Sequence, residues 1–369
     1  MLRYLLLFLI LSASSSGEVL NVYFGTGGGS AAGIYHTTLD TKKGRLGQVT
    51  LAAEVTAPGF LAWNVNKDRL YSISNDQDVP ALVAYAVQQD GKIEEINRVP
   101  MQAGRAAHLA VHPSESFLIT AHYGSGKVSV FPVAADGSIH VSTQIIQHKG
   151  ASGVVEKRQK SPHPHWAGFS PDGKYAFIPD LGADQIVIYS VEPNSVGLKQ
   201  VGTAKTLPGG GPRHMRFSPD GNFIYLLNEL TLAVTTFKYN PSNGSAQRLT
   251  TTPALTEEVK AREVFNSASE ILVHPNGKFL YSGNRGNDSV TVYAADPNSG
   301  ELKVIEVEPV RGAWPRNINL DSTGSWLLAA GADSNTVSLF RIDPDTGELQ
   351  FQRKGSINVP NAICILLKD

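Results

Sequence analysis

Phe169-Ser-Pro-Asp-Gly-Lys-Tyr-Ala-Phe177 returns as Phe217-Ser-Pro-Asp-Gly-Asn-Phe-Ile-Tyr225 and again as Val273-His-Pro-Asn-Gly-Lys-Phe-Leu-Tyr281. In each copy an apolar residue runs into a Pro-Asp-Gly or Pro-Asn-Gly turn, and the turn feeds a second apolar run. That is the signature of a tight β-hairpin. Weaker copies stand at Trp63-Asn-Val-Asn-Lys-Asp-Arg-Leu-Tyr71, Val111-His-Pro-Ser-Glu-Ser-Phe-Leu-Ile119 and Leu320-Asp-Ser-Thr-Gly-Ser-Trp-Leu-Leu328. The turn positions are Lys67, Glu115, Gly173, Gly221, Gly277 and Gly324, separated by 48, 58, 48, 56 and 47 residues. A period of ~40–50 residues is that of propeller blades, here with two lengthened loops.

Beyond the hairpin, each unit supplies two further strands. After the second strand comes a loop such as Leu181-Gly-Ala-Asp184, then the alternating run Gln185-Ile-Val-Ile-Tyr-Ser190, then Gly197-Leu198 opening a fourth. Asp288-Ser-Val-Thr-Val-Tyr293 is repeated as Ser334-Asn-Thr-Val-Ser-Leu-Phe340, and Gly300-Glu-Leu302 as Gly347-Glu-Leu349. Six such units are complete or nearly so. Residues 20–25, 32–39 and 45–52 have the form of second, third and fourth strands lacking a first, and Pro360-Asn-Ala-Ile-Cys-Ile-Leu-Leu367 has the form of a first strand lacking the rest. The expectation is an all-β, seven-bladed β-propeller of four-stranded blades, its ring closed by pairing of the C-terminal strand with the N-terminal strands. Closure pairs the edges that the two terminal fragments would otherwise leave open. A solenoid or a pair of β-sandwiches does not explain why the strand missing at one end is found at the other.

Composition agrees. Of 369 residues, 41% are hydrophobic and 18% charged, enough for a core and too little charge for disorder. The 35 glycines and 21 prolines suit a chain rich in turns. With 32 Lys and Arg against 33 Asp and Glu, the net charge of −1 removes the pull expected of a nucleic-acid binder. The single cysteine, Cys364, excludes an internal disulfide framework.

The N-terminus is a separate object. Arg3, an apolar run over residues 4–11 and the small residues up to Gly17 read as a secretory signal, residues 1–17, cleaved after Gly17. The apolar run is too short to span a bilayer. The expected arrangement is therefore a signal followed by one propeller domain, residues 18–369, exported and without a membrane span.

The repeat also aligns polar residues. The start of a blade's first strand and the end of its second lie on one face. Eight residues before the turn column stand Gly59, Ala107, His165, Arg213, Ser269 and Arg316; eight after it stand Asn75, Tyr123, Leu181, Glu229, Arg285 and Ala332. His165, Arg213, Glu229 and Arg285 thus come from three successive blades and are expected in one mouth near the axis. An imidazole can move a proton, a carboxylate can act as a second acid or base, and guanidiniums can hold an anion or a developing oxyanion. Glu229 between two arginines is expected to stay ionised. His163 and His165, two apart on an extended chain, could form a metal pair with a third ligand from His122, Asp180, Glu229 or His214, but the nearby arginines oppose a cation. Lys157-Arg-Gln-Lys160 is a basic patch in a long insertion that could meet an anionic substrate. Trp166, Trp314 and Trp326 read as blade-packing residues. The glycine runs 25–29 and 208–212 open no helix and read as turns, not phosphate loops.

Pro162-His-Pro-His-Trp-Ala-Gly-Phe-Ser-Pro-Asp-Gly173, Gly211-Pro-Arg-His-Met-Arg-Phe217 with Leu227-Asn-Glu-Leu230, and Ala268-Ser-Glu-Ile271 with Gly283-Asn-Arg-Gly-Asn-Asp-Ser289 resemble the lactonase, or cycloisomerase 2, family of seven-bladed propellers. That family contains the propeller-type 6-phosphogluconolactonase and the carboxy-cis,cis-muconate cyclase. The resemblance covers about residues 20–367. It implies His165, Glu229, Arg213 and Arg285 as catalytic residues, with His163, Arg213, Arg285, Glu270 and Arg316 as substrate contacts, and no metal or cofactor. The implied activity is hydrolysis of 6-phosphogluconolactone or a related aldonolactone, a small anionic lactone being the partner. A muconate-type lactonizing cycloisomerase and a non-catalytic exported propeller that binds a glycan or protein are the alternatives. Three positions depart from the pattern: Trp166 stands for a small residue, Asn287 where His is common, and Asn75 where Glu is frequent. Trp166 is expected near the mouth, where it would narrow the pocket. A signal peptide departs too, since family members acting on phosphorylated sugars are cytoplasmic.

Overall fold

The computed structural model describes residues 18–76, 78–192 and 196–368. The secretory reading of residues 1–17 lies outside them.

The turn that repeats in sequence repeats in conformation. Gly173, Gly221, Gly277 and Gly324 have φ of 72°, 71°, 72° and 71°, a left-handed backbone that glycine adopts freely. Lys67 (φ 53°) and Glu115 (φ 60°) take the same conformation in the weaker copies, at about 1–2 kcal/mol each. Glu115 gains something from its position: its Oε1 accepts the Val65 N–H of the neighbouring blade's turn at 2.7 Å.

The hairpins assemble into seven antiparallel sheets. In chain order, blade 1 spans residues 61–100, blade 2 108–147, blade 3 168–205, blade 4 212–253, blade 5 267–309 and blade 6 315–358. The closing blade takes its inner strand from Ala362–Lys368 and its next two from Val19–Thr26 and Gly33–Asp40. The termini pair from Asn21↔Lys368 to Gly25↔Cys364, with a register shift before Thr26↔Ala362. Two outer strands are split, at Arg45–Leu46 with Thr50–Glu54 in the closing blade and at Leu349–Phe351 with Ile357–Asn358 in blade 6. The only helix among the described residues is Glu257–Lys260, between blades 4 and 5. No described helix is long and apolar enough to cross a membrane.

Each interface between neighbouring blades holds its own apolar cluster. Between blades 3 and 4, for instance, Phe177, Ile186 and Ile188 pack on Met215, Ile224, Leu226 and Phe237. Between blade 6 and the closing blade, Trp326, Leu328 and Leu339 meet Val22, Phe24, Ile365 and Leu367. Fully burying each such side chain contributes roughly 1.5–3 kcal/mol. A polar clasp recurs at the outer side: the Tyr23, Tyr71 and Tyr281 hydroxyls donate to the carbonyls of Gly91, Gly137 and Gly347 in the next blade at 2.6, 3.1 and 3.0 Å. With the core distributed between blades, the axis is left to polar side chains.

Candidate active site

At one end of the axis lies a cavity of about 890 Å³. The sequence phase places its walls: Gly59, Ala107, His165, Arg213 and Arg316 of the first column and Tyr123, Glu229, Arg285 and Ala332 of the second all line it. Ser269, Asn75 and Leu181 do not. Five guanidiniums, of Arg105, Arg158, Arg213, Arg285 and Arg316, face the cavity against two carboxylates, Glu229 and Asp333.

Glu229 is the centre of the cluster. It ends the second strand of blade 4, where its backbone N–H donates to Gly211 O at 2.7 Å. Its Oε2 accepts from Arg213 Nη1 at 2.7 Å and its Oε1 from Arg158 Nη2 at 2.7 Å, with Arg285 Nη2 at 3.4 Å. Burial alone would raise its pKa. The charges of Arg213, Arg285 and Arg158 outweigh burial and hold it well below the usual carboxylate range.

Arg213 also donates through Nη1 to His165 Nε2 and through Nε to Ser269 O. A guanidinium can only donate, so His165 Nε2 is the acceptor and Nδ1 carries the proton. That Nδ1–H is buried and has no hydrogen-bond partner among the described residues. Burial first, then Arg213, push the His165 pKa well below its ordinary value, only partly offset by Glu229 at 3.6 Å. The imidazole is neutral at pH 7. Arg285 donates from Nη2 to Ala268 O at 2.6 Å and lies 5.4 Å from the Trp314 ring centroid. Burial and Arg213 lower its pKa to about 9, leaving it cationic, and its buried Nε–H has no partner among the described residues.

A floor closes the mouth from below, built one residue further along each inner strand. Phe60, His108, Trp166, His214, Glu270 and Asn317 directly follow the column positions Gly59, Ala107, His165, Arg213, Ser269 and Arg316. The rings are in contact: Phe60–His108 at 4.1 Å, His108–Trp166 at 5.4 Å, His108–His214 at 5.5 Å and His165–His214 at 5.4 Å. His214 Nδ1 meets Glu270 Oε1 at 3.0 Å, and Asn317 Nδ2 donates to Glu270 Oε2 at 2.9 Å. Burial holds His108 and His214 far below the ordinary histidine range, helped for His108 by His214 and for His214 by Arg213. Beneath the floor a second cavity of about 380 Å³ opens on the other side.

The expected site residues therefore separate. His165, Arg213, Glu229 and Arg285 meet as their phase requires, and Arg316 shares their cavity. Glu270 does not line it: it belongs to the floor, engaged by His214, Asn317 and Arg216, and borders the second cavity. His163 is outside as well, its ring stacked on Tyr123 at 4.4 Å and its Nδ1 2.7 Å from Tyr123 O. Trp166 lines the second cavity, under Arg216 at 5.7 Å, so it does not narrow the mouth as expected. Trp314, expected to pack blades, instead lines the mouth and stacks on Phe265 at 5.9 Å. Among the described residues no three His, Cys, Asp or Glu side chains are spaced to hold a metal ion; His122 is tied to Gly104 O and Thr120, and Asp180 to His148.

Two of the arginines escaped sequence reasoning. Arg158 arrives from the insertion between blades 2 and 3, which Asp180 and Asp184 fold against blade 3: Asp180 binds His148 and His163 N, and Asp184 binds Ser152, Gln159 and the N–H groups of Gly209 and Gly211. The Lys157-Arg-Gln-Lys160 patch was its signal, and only Arg158 of that patch reaches Glu229. Arg105 comes from the connector before blade 2, where nothing in the repeat marks it.

A cationic mouth on a seven-bladed ring, with imidazole and carboxylate joined through one arginine, defines the class. The chain belongs to the lactonase family of seven-bladed β-propellers, whose family model matches residues 21–367. It is 34% identical over 303 residues to a 6-phosphogluconolactonase of Bacillus subtilis, covering 82% of this chain and 85% of that one. It is 32% identical over 306 residues to a 6-phosphogluconolactonase of Formosa agariphila, with 81% and 85% covered. A solved structure, the periplasmic gluconolactonase of Pseudomonas aeruginosa, superposes with a TM-score of 0.86 at 29% identity, covering 95% of this chain and 99% of that one.

Proposed function

We propose that the protein hydrolyses a sugar lactone, 6-phosphogluconolactone or a related aldonolactone. The observation that carries this reading is the Arg213 bridge, which ties a neutral imidazole and a charged carboxylate together in a mouth of positive charge. Water attacks the ring carbonyl, and the charge growing on the carbonyl oxygen is met by Arg213 and Arg285. As the Arg213 guanidinium turns to that oxygen, it frees His165 Nε2 to take the proton of the attacking water. Collapse of the tetrahedral intermediate breaks the ring C–O bond, and the proton returns from His165 to the departing ring oxygen. Glu229, held far below the ordinary carboxylate range, is a poor proton carrier and positions Arg158, Arg213 and Arg285. Residues 1–17 would send the chain out of the cytoplasm, in keeping with the periplasmic location of the Pseudomonas gluconolactonase.

The test is a pH-stat assay of the protein on gluconolactone, 6-phosphogluconolactone and a muconate. Lactone hydrolysis is expected, reduced about 10²–10³-fold in His165→Ala. Wild-type rates in both His165→Ala and Arg213→Ala would overturn the assignment, and muconate cyclisation without lactone hydrolysis would replace it with the cycloisomerase.

A further inference from the structure

The cations of the mouth differ in what they touch. Arg158, Arg213 and Arg285 lie against Glu229, so one carboxylate serves three guanidiniums. Among the described residues Arg316 and Arg105 form no ion pair with a carboxylate. Arg316 is half-buried yet makes no side-chain hydrogen bond or ion pair among the described residues, while the exposed Arg105 makes a single weak contact from Nη2 to Ala57 O at 3.3 Å. Burial and the neighbouring Arg213 push Arg316 down to about 10; Glu229 and Asp333 offset this only in part, and Arg105 lowers it further, so the two arginines feel each other. Partly removing the Arg316 guanidinium from water without giving it a partner is unfavourable, and the exposed Arg105 beside it in the same cavity adds a second positive charge that an anion would satisfy.

Their placement makes room for one. Arg316 opens the inner strand of blade 6, and Arg105 folds back from the connector before blade 2, its Nη2 lying 3.1 Å from where a Cβ on Gly59 would be. Between blade 6 and blade 2 the ring passes the closing blade and blade 1, which offer the mouth Gly27, Asn361, Ile363, Gly59 and the Phe60 ring of the floor, none of them charged. The carboxylate on this side, Asp333, is exposed at the rim and lies within ion-pairing distance of neither arginine. The cavity, about 890 Å³, is large enough for a ligand that reaches from Glu229 to this side.

We propose that Arg105 and Arg316 form a second anion subsite, which takes a phosphate or carboxylate carried by the lactone at the end remote from its ring carbonyl. The proposal rests on the lactonase reading and deepens it: the substrate is a lactone with a charged tail. Phosphate and carboxylate share this chemistry and are separated by the choice of probes. kcat and KM are measured for 6-phosphogluconolactone, glucarolactone and uncharged gluconolactone, with wild type, Arg105→Met, Arg316→Met and the double variant. Wild type is expected to prefer one charged lactone, and each substitution to lower that preference about 10–100-fold, mainly through KM. Preference for 6-phosphogluconolactone assigns the subsite to phosphate, and preference for glucarolactone to carboxylate. A wild type indifferent to the tail, or a loss shared equally by charged and uncharged lactones, overturns the proposal. Calorimetric binding of 6-phosphogluconate, glucarate and gluconate reads the subsite without turnover. If no lactone is hydrolysed while a charged acid binds more tightly than gluconate and Arg316→Met abolishes the difference, the lactonase reading fails and the subsite stands.

Discussion

The two sides of the mouth are built on opposite plans. On the side of blades 3 to 5, His165, Arg213, Glu229 and Arg285 are buried and bonded to one another, so each holds its neighbour's geometry and charge. On the side of blade 6, the closing blade and blades 1 and 2, the same phase positions carry Gly59 and Ala107, and the cations Arg105 and Arg316 are left unpaired. A preorganised cluster is suited to a reacting centre, because its donors need no reorganisation when charge develops. An open side with unspent cations is suited to holding a substrate in place.

The largest effects belong on the crowded side. Arg213→Leu removes the link between His165 and Glu229, and lactone turnover is expected to fall about 10²–10³-fold. It also breaks a buried ion pair, at about 3–5 kcal/mol in a denaturant titration. Arg316→Met, which breaks no ion pair, is expected to leave the unfolding midpoint in place. Equal destabilisation by the two would erase the distinction between the sides.

Acid should act on the buried imidazoles and not on the unpaired arginines. His108, His165 and His214 are held neutral well below the ordinary histidine pKa, burial being the first cause, and His122 is lowered to about 4. Below about pH 6.5 the unfolded chain takes up protons that these native imidazoles refuse. Stability is therefore complete above that pH and declines as pH falls toward the native values, by up to about 1.4 kcal/mol per pH unit for each histidine. Glu229, depressed below its unfolded value, adds a further loss only below about pH 4.5. Melting temperatures from pH 8 to pH 5 should fall, and His214→Gln should flatten the slope while Arg316→Met does not. A flat profile in wild type would contradict neutral burial.

The smallest effect concerns Trp314, which stands at the border of the two sides. Trp314→Ala removes the face over which Arg285 lies and the stack with Phe265. KM for the lactone is expected to rise a few-fold, and by no more than about 30-fold, from the energy of one cation–π contact. A fall in kcat with KM unchanged would instead place Trp314 among the groups that act only in the transition state.

The blade count, the turn column and the closure of the ring were legible because they repeat. One turn chemistry, copied with a left-handed residue at its centre, announces a hairpin wherever it occurs, and Lys67 and Glu115 keep the conformation even after losing the glycine. Repeat phase also brought His165, Arg213, Glu229 and Arg285 to one mouth, since equivalent positions in a ring of equivalent blades point the same way. It could not place Glu270 or Trp166. A single residue step along an inner strand moves a side chain from the mouth to the floor, and a bulge between Ala268 and Ile271 disturbs the alternation in blade 5. His163 lies outside the inner strand of blade 3, which begins at Gly168, and its ring turns to Tyr123.

What lies outside the repeat obeys no phase. Arg158 reaches Glu229 because Asp180 and Asp184 fold a long insertion over blade 3, and Arg105 reaches the mouth from a connector. Trp314 joins the mouth through a left-handed residue (φ 61°) just before blade 6. Periodicity is a local property that a chain writes once per blade, so fold, closure and the four phased residues can be read from the letters. The charge of the mouth is not: three arginines around one carboxylate, and two more left unpaired, arise only when segments far apart in the chain converge on one axis and burial makes every unpaired charge count.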